Sequence, residues 1–216
     1  MNRWQQLRTL VAPRRELRAE RWIVVDTETS GLDPASDALL AIGGVAVDAD
    51  GIRPGDSFET LLHNTSACAQ ENILVHGIGR GAQRDAVAAH EALSAFSAWA
   101  QQAPCIGFHA PFDRAVLRRA ARLAGVALGD EPWLDLAPLA SVLAGDEAAN
   151  RNRSSLDDWL LAYGIGCSGR HNAASDAMAS AGLLLRLRAL AARQVRPTFA
   201  GLMKLAGQGR WLGTGR

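Results

Sequence analysis

The stretch VVDTETSGLD, residues 24 to 33, places two carboxylates directly after a short apolar run. The apolar run is typical of a buried strand, and residues two apart on a strand project from one face, so we expect Asp26 and Glu28 side by side. Adjacent carboxylates repel each other unless a cation lies between them. Alternatively, the strand ends here in a solvated turn, because Gly31 and Pro34 are ordinary turn residues. This stretch alone is compatible with both a metal site and a turn.

The composition fits one globular domain with extensions. The chain has 216 residues, 48% of them hydrophobic, which is enough for a sizeable core. No apolar run approaches the roughly 20 residues that cross a membrane, and no signal-peptide pattern opens the chain. Three cysteines without CxxC spacing argue against a disulfide framework and a zinc site. We expect a soluble protein of a reducing cytoplasm, and the single lysine among abundant arginine and alanine fits a GC-rich bacterial source.

The net charge of +1 conceals a separation of charge along the chain. Residues 1–21 carry six arginines and two acids, a net +4, and residues 186–216 carry seven basic residues and no acid, a net +7. The middle, residues 22–185, carries ten arginines and twenty acids, a net −10. An acidic body with basic ends suits a metal-dependent site that handles a polyanion, although solvated basic tails explain the ends equally well.

The hydrophobic pattern predicts an α/β domain. Strand-like runs occur at residues 21–28, 39–51, 57–63, 103–109 and 132–136. Helical patterns occur at residues 82–100, 111–125, 154–164 and 173–191. Asp50 and Gly51 mark a hairpin turn between the second and third strands. A meander followed by alternating strands and helices indicates a mixed five-stranded sheet flanked by helices.

Both ends of the chain are expected to lie outside this domain. The first is rich in arginine and broken by Pro13, and the last has glycine and arginine in excess. We therefore predict a basic N-terminal extension at 1–21, a domain at 22–193, and a loosely packed basic C-terminal extension at 194–216.

Two further acids lie where predicted helices begin. Asp113 follows a strand whose carboxyl end is a usual place for a site, although an Asp there also stabilises a helix dipole. Asp176 falls in the first turns of the last helix, five residues after His171. Five residues rotate a helix by about 140° from the starting direction, so His171 is expected in the preceding loop, able to reach the site that Asp176 lines. Alone, a loop histidine is most often a surface residue.

In combination, these residues resemble the DEDDh exonucleases, a family that includes the epsilon proofreading subunit of bacterial DNA polymerase III and ribonuclease T. The family's first motif, D-x-E, is matched by Asp26 and Glu28. Its second motif supplies Asp113 in FHAPFD, and its third, H-x-x-x-x-D, supplies His171 and Asp176. The order and spacing of the motifs fit the family across residues 22 to about 190, which no single motif would establish.

Two details refine the resemblance. VHGI at residues 75–78 is similar to a signature of the epsilon-like branch. The second motif commonly reads H-N-A-x-F-D in the family, whereas Phe108 and His109 stand here in place of the His and the Asn. Asp113 and Phe112 keep their register, so the departure concerns contacts with the strand or base rather than metal binding.

The resemblance implies a ribonuclease H-like fold and a 3′→5′ exonuclease acting on single-stranded nucleic acid 3′ ends, with DNA as the favoured substrate. It implies two Mg²⁺ or Mn²⁺ ions, with Asp26 touching both, Glu28 and Asp176 on the nucleophile side and Asp113 on the leaving-group side. His171 would be the general base. Four carboxylates with no cysteine and one nearby histidine also favour magnesium or manganese over zinc.

The resemblance further implies a pocket for the terminal nucleotide, in which Leu32 wedges beside the last base. Its residues would be Thr29, Leu32, Val75, His76 and Phe112. The sequence itself leaves open that the apolar members belong to the core instead. A stacking aromatic and a basic channel are nonetheless what sequence-tolerant single-strand binding requires.

Several alternatives remain at this stage. RNA or short oligoribonucleotides could be the substrate, because no residue can be assigned to sensing a 2′-hydroxyl. A nucleic-acid-binding module with a vestigial site and an acidic metal-binding domain without turnover are the non-enzymatic alternatives. A role as a DNA polymerase subunit is one option, since the tail shows no recognisable clamp- or polymerase-binding motif.

Overall fold

Five strands form one mixed sheet in the order β3-β2-β1-β4-β5. The computed structural model describes residues 20–64, 77–78, 80–145, 153–167 and 169–213. Within them the strands are β1 (Trp22–Thr29), β2 (Leu39–Val47), β3 (Ile52–Leu61), β4 (Cys105–Gly107) and β5 (Trp133–Asp135). β1 pairs antiparallel with β2, and β2 with β3, whereas β4 pairs parallel with both β1 and β5. The predicted mixed five-stranded sheet is confirmed.

Helices cover both faces of this sheet. They are α1 (Arg80–Arg84), α2 (Ala89–Ala100), α3 (Ala110–Ala124), α4 (Leu136–Ala144), α5 (Leu156–Tyr163), α6 (Ala173–Ala191) and α7 (Phe199–Gly213). Helix α5 begins with a capping box between Ser155 and Asp158. None of the helices in these ranges has the length and apolar character that crossing a bilayer requires.

Alternating side chains of β1 enter two separate cores. Trp22 and Val24 pack in a cluster with apolar residues of α4, α5, α6 and α7. Ile23 and Val25 pack on the other face, in a cluster with residues of α2 and α3. Because side chains alternate along the strand, each residue after Val25 faces one or the other of these two sets of helices.

The single helix predicted over residues 82–100 is wrong, because the structure has two helices there. Val87 lies between them and forms a parallel bridge with Leu62. Its N–H donates to the Leu61 carbonyl at 3.2 Å, and its carbonyl accepts from the His63 N–H at 2.7 Å. The alanine-rich periodicity continues through this point, but the end of β3 takes the backbone groups that a helix would use.

The loose packing predicted for residues 194–216 is also wrong for the stretch that forms α7. One side of this helix is buried in the core, through Phe199, Leu202, Leu205 and Ala206. The Phe199 ring meets the Trp22 ring edge-on, with 5.7 Å between centroids. The apolar residues recur at helical spacing, a signal that the excess of glycine and arginine concealed. The division at residue 194 itself stays a prediction.

Candidate active site

Three carboxylates converge at the carboxyl end of β1. Oxygen atoms of Asp26, Glu28 and Asp176 all lie within 4.8 Å of one another. Asp26 and Glu28 continue the strand face that α6 covers, and Asp176 lies in the first turn of α6. The structure therefore brings together three of the four acids that the sequence singles out.

The close approach of α6 to the sheet depends on a residue without a side chain. Gly43 on β2 pairs directly with Asp26 across the sheet. A Cβ atom at Gly43 would lie 2.1 Å from the carbonyl carbon of Ala173, the first residue of α6. Glycine inside a strand often marks such a backbone approach, and the IGGVAV run of β2 carries this signal in the sequence.

Asp113 comes from the opposite face of the sheet. It lies in the first turn of α3, is only 4% exposed, and accepts a 2.7 Å hydrogen bond from the Thr27 hydroxyl. Thr27 is the middle residue of the D-x-E motif, and strand alternation points it away from Asp26 and Glu28, toward α3. Asp113 is not one of the three converging carboxylates, but its charge acts on Asp26.

Loss of solvent and mutual repulsion raise the pKa values of these acids. The pKa of Asp26 lies well above its ordinary value, first because of desolvation and then because of the neighbouring carboxylates. Desolvation, followed by the charge of Asp176, raises the pKa of Glu28 to about 7. Burial raises the pKa of Asp113 to about 7 against the hydrogen bonds from Thr27. Such a set of hard oxygen donors fits a divalent cation of the magnesium or manganese type.

One arginine supplies positive charge to the cluster. Arg170 forms an ion pair with Oδ1 of Asp176, and its Nε donates to Oδ1 of Asp157 at 2.5 Å. Burial lowers the pKa of Arg170, but the hydrogen bonds to the two carboxylates outweigh it, and the net shift is upward. Arg170 carries no signal in the sequence, because it lies in the loop before α6 and only the fold brings it to Asp157 on α5.

His171 lies in the loop before α6, where the sequence predicts it. Its backbone is left-handed, with φ 64°, and its N–H donates to Oδ2 of Asp176 at 3.1 Å. The next residue, Asn172, caps α6 by accepting from the Ser175 N–H and is itself held by Glu59 at 3.2 Å. The loop is therefore anchored at both residues, and the side chain of His171 is exposed to solvent.

The expectation that no cysteine lies near the acids is wrong. The Sγ atom of Cys167 is 3.8 Å from Oδ1 of Asp176. Desolvation and the negative charge of Asp176 raise the pKa of this thiol, so it stays protonated at neutral pH. A protonated thiol is a poor metal ligand, and oxygen donors still dominate the site.

The departure in the second motif has a clear structural setting. Phe108 is buried in the core on the α4–α7 face. His109 precedes α3 with a left-handed φ of 60°, a conformation in which Asn and His are both enriched. Its N–H donates to Asp135, and its Nε2 lies 3.1 Å from the Ser154 carbonyl oxygen. His109 therefore adopts a backbone conformation that would equally suit an asparagine.

Three of the five residues expected to bind the terminal nucleotide, Thr29, Leu32 and Phe112, lie in the described part of the chain. Thr29 is half-buried, and its hydroxyl donates to the Gly31 carbonyl at 2.5 Å. Phe112 is half-buried against the core on the α2–α3 face. Val75 and His76 lie outside the described residues.

Leu32 stands out because it is 91% exposed. The loop that carries it is braced, since Asp37 accepts hydrogen bonds from the Ser30 hydroxyl and the Asp33 N–H. Arg119 of α3 donates to the carbonyl oxygens of Asp37 and of the residue before it. The structure thus holds a large apolar side chain in water on a fixed loop, which is not how a core leucine behaves.

Comparison with known proteins identifies the family. The sequence matches the RNase T exonuclease family over residues 23–184. It is 33% identical over 193 residues to a DNA polymerase III subunit epsilon-like protein of Rhodobacter capsulatus, covering 88% of this chain and 27% of the relative. It is 27% identical over 166 residues to a PolC-type DNA polymerase III of Thermotoga maritima, covering 76% of this chain and 12% of the relative. The chain therefore spans a small part of the length of either relative.

Solved structures show the same fold at low sequence identity. E. coli exonuclease I in complex with a dT13 oligonucleotide superposes with a TM-score of 0.70 at 16% identity, covering 81% of this chain and 42% of that one. Exonuclease X in complex with 5′ overhanging duplex DNA gives a TM-score of 0.66 at 16% identity, covering 86% of this chain and 99% of that one. The architecture is ribonuclease H-like, and the chain belongs to the DEDDh-type exonuclease family.

Proposed function

We propose that this protein is a 3′→5′ exonuclease that hydrolyses phosphodiester bonds at the 3′ end of single-stranded nucleic acid, with DNA preferred over RNA. The observation that carries the proposal is the convergence of Asp26, Glu28 and Asp176 within 4.8 Å in a chain of this family. The oligonucleotide complexes of exonuclease I and the polymerase III relatives support single-stranded DNA as the substrate.

The four acids have distinct places in this mechanism. Two Mg²⁺ or Mn²⁺ ions would supply an activated water and neutralise the charge that develops on the phosphate. The charges of Asp113, Asp176 and Glu28 all act on Asp26. Asp26 would therefore hold both ions, with Glu28 and Asp176 on the side of the water. Asp113 would serve the leaving oxygen, and its hydrogen bond from Thr27 fixes the carboxylate for that purpose. Because the pKa values of Glu28 and Asp113 are raised to about 7, ion binding below that pH would release protons from the site.

His171 would take the proton from the attacking water. Histidine is the side chain most often used for this step. The anchored backbone, through the N–H bond to Asp176, keeps the residue beside the acids, while the exposed imidazole can turn toward the water. This arrangement differs from a surface histidine on an unconstrained loop.

The terminal nucleotide would bind beside the braced loop. Leu32 projects into solvent and can wedge against the last base without displacing any core contact. Thr29 on β1 and Phe112 on α3 would contribute to this pocket, and Val75 and His76 would complete it. Stacking and apolar contacts of this kind are tolerant of sequence, which suits release of successive mononucleotides.

The proposal is tested with single strands of DNA and of RNA labelled at either end, incubated with Mg²⁺ or Mn²⁺. We expect a 5′-labelled strand to give a ladder of shortened products and a 3′-labelled strand to release labelled mononucleotide at once. Asp26→Asn and EDTA serve as controls. Labelled mononucleotide released from the 5′ end, or cleavage unaffected by EDTA, would contradict the proposal, and faster cleavage of RNA would reverse the DNA preference.

A partnership with a DNA polymerase is the accompanying proposal, supported by the epsilon-like relative. Co-sedimentation with the replicative polymerase of the same organism tests it. A purified pair that stays separate at micromolar concentration would instead favour an exonuclease that acts alone.

A further inference from the structure

Arg170 has a position that the proposed reaction does not yet use. Its guanidinium lies between two carboxylates, Asp157 in the first turn of α5 and Asp176 in the first turn of α6. Asp157 accepts from Nε at 2.5 Å and from Nη2 at 3.5 Å, while Nη1 faces Asp176. The side chain as a whole is 25% exposed, but Nη1 itself is buried against Asp176, where it forms an ion pair without an aligned hydrogen bond.

A divalent ion at this site would compete with the guanidinium for the carboxylate of Asp176. Oδ2 of Asp176 accepts the backbone N–H of His171, and Oδ1 pairs with Arg170. An ion ligated by Asp176 needs one of these oxygens. The backbone bond is fixed by the loop, whereas a side-chain ion pair can be given up at little cost if the arginine finds another anion.

We infer that Arg170 is a phosphate-binding residue of this site, a role that rests on the proposed exonuclease function. When Asp176 ligates a divalent ion, Asp157 retains the Nε side of the guanidinium and Nη1 donates to a phosphate oxygen of the bound strand. The planar fork of arginine makes this division possible, because its donors point in different directions from one rigid group. A lysine at this position would have a single ammonium group and could not serve both partners in the same way.

The first test measures divalent-ion binding without any nucleic acid. Mn²⁺ titration by calorimetry should give Arg170→Ala an affinity at least equal to that of the wild type, because a competitor for Asp176 is removed. Arg53→Ala is the matched control, since Arg53 also pairs with two carboxylates but lies at the start of β3, away from the acid cluster. Asp176→Asn should weaken Mn²⁺ binding and marks the effect of losing a ligand.

The second test measures strand binding with Mn²⁺ saturating, using a single-stranded oligonucleotide with phosphorothioate linkages that resist cleavage. Arg170→Ala should bind it about tenfold more weakly, the usual effect of losing a charge-assisted hydrogen bond. The slope of log affinity against log salt concentration should fall by about 0.7, as expected for one phosphate contact on a single strand. Arg170→Lys should recover the salt slope and little of the affinity, and Arg53→Ala should match the wild type.

Three results distinguish a failure of this inference from a failure of the proposed exonuclease function. If Arg170→Ala loses Mn²⁺ affinity as Asp176→Asn does, Arg170 supports the metal site and the inference is overturned. If Arg170→Ala leaves strand affinity and salt slope unchanged while the wild type cleaves DNA, the inference is wrong and the proposed function stands. A wild type that neither binds nor cleaves single strands would overturn the proposed function and the phosphate contact with it.

Discussion

The protein treats its carboxylates differently at the two ends of strand β1. Near the beginning of the strand, Asp56 accepts hydrogen bonds from Arg21 and from the Trp99 indole, and its pKa is lowered chiefly by Arg21. Asp48 is paired in the same manner with Arg53, and its pKa is also lowered.

At the other end of the strand, the pKa values of Asp26, Glu28 and Asp113 are all raised. Structural acids in this protein therefore receive cationic partners from the chain itself. The acids of the candidate site are crowded together with Arg170 as the positive charge that acts on Asp26 and Glu28. The difference indicates that an external cation is needed at one end of the strand and not at the other.

The sharpest way to break the comparison is Asp26→Asn. We expect cleavage to fall by more than about 10,000-fold, because the acids act as a unit. The variant should nevertheless be at least as stable as the wild type in EDTA, since one of several repelling charges is gone. Gel assays and thermal unfolding measure the two effects. A destabilised Asp26→Asn protein would mean that this carboxylate is structural, like those at the other end.

His171→Ala should come next in size. Loss of the general base should slow the chemical step by roughly 100- to 10,000-fold, with Mn²⁺ and strand binding almost unchanged. Single-turnover rates from pH 5.5 to about 9 at saturating Mn²⁺ separate chemistry from binding. His90→Ala is the control, because His90 bonds a carbonyl oxygen on α3 and lies outside the site. Near-normal rates for the His171→Ala variant would mean that His171 is a surface residue without a role in the chemical step.

Asp56→Asn should show the opposite pattern to Asp26→Asn. Removing its charge weakens the two hydrogen bonds from Arg21 and should cost about 1 kcal/mol of unfolding free energy, because the pair is partly exposed. Cleavage should be unchanged. Urea denaturation and the gel assay measure both, and a variant that loses activity without losing stability would erase the distinction between the two ends.

The smallest effect concerns pH. Glu28 and Asp113 have native pKa values of about 7, above those of the unfolded chain, so the native state binds more protons between these limits. In EDTA the contribution of the cluster to stability is therefore largest in acid and is lost as the pH rises through about 7. The unfolding midpoint should fall by a few degrees over that range, and saturating Mn²⁺ should abolish the fall. Circular dichroism melts from pH 5 to 8.5 check this, and Asp56→Asn should leave the trend in place.

Local pattern was sufficient for much of this fold and site. The period of two on β1 predicts that Asp26 and Glu28 share a face, and the turn of a helix predicts that His171 lies in a loop before Asp176. These arguments need only the geometry of a single element, and the structure agrees with them.

What local pattern missed depends on contacts between distant segments. Thr27 bonds Asp113 across 86 positions, and Arg170 joins α5 to α6. The break between α1 and α2 arises because Val87 bonds the end of β3 rather than its own helix. The apolar residues of α7 recur at helical spacing in the sequence, but the excess of glycine and arginine in that segment favoured a loosely packed extension. No periodicity reports which backbone group a tertiary neighbour will take.

Gly43 gives strand β2 control over a site to which it contributes no ligand. At Gly43 only a hydrogen atom separates this strand from the start of α6. A methyl group there would have to move the helix by roughly 1.5 Å to reach normal contact distance. Ligand distances in metal sites tolerate only about 0.2 Å. Gly43 therefore acts as a spacer that sets the gap between Asp26 and Asp176, and the dimensions of the site can be changed from a strand that supplies none of the converging carboxylates.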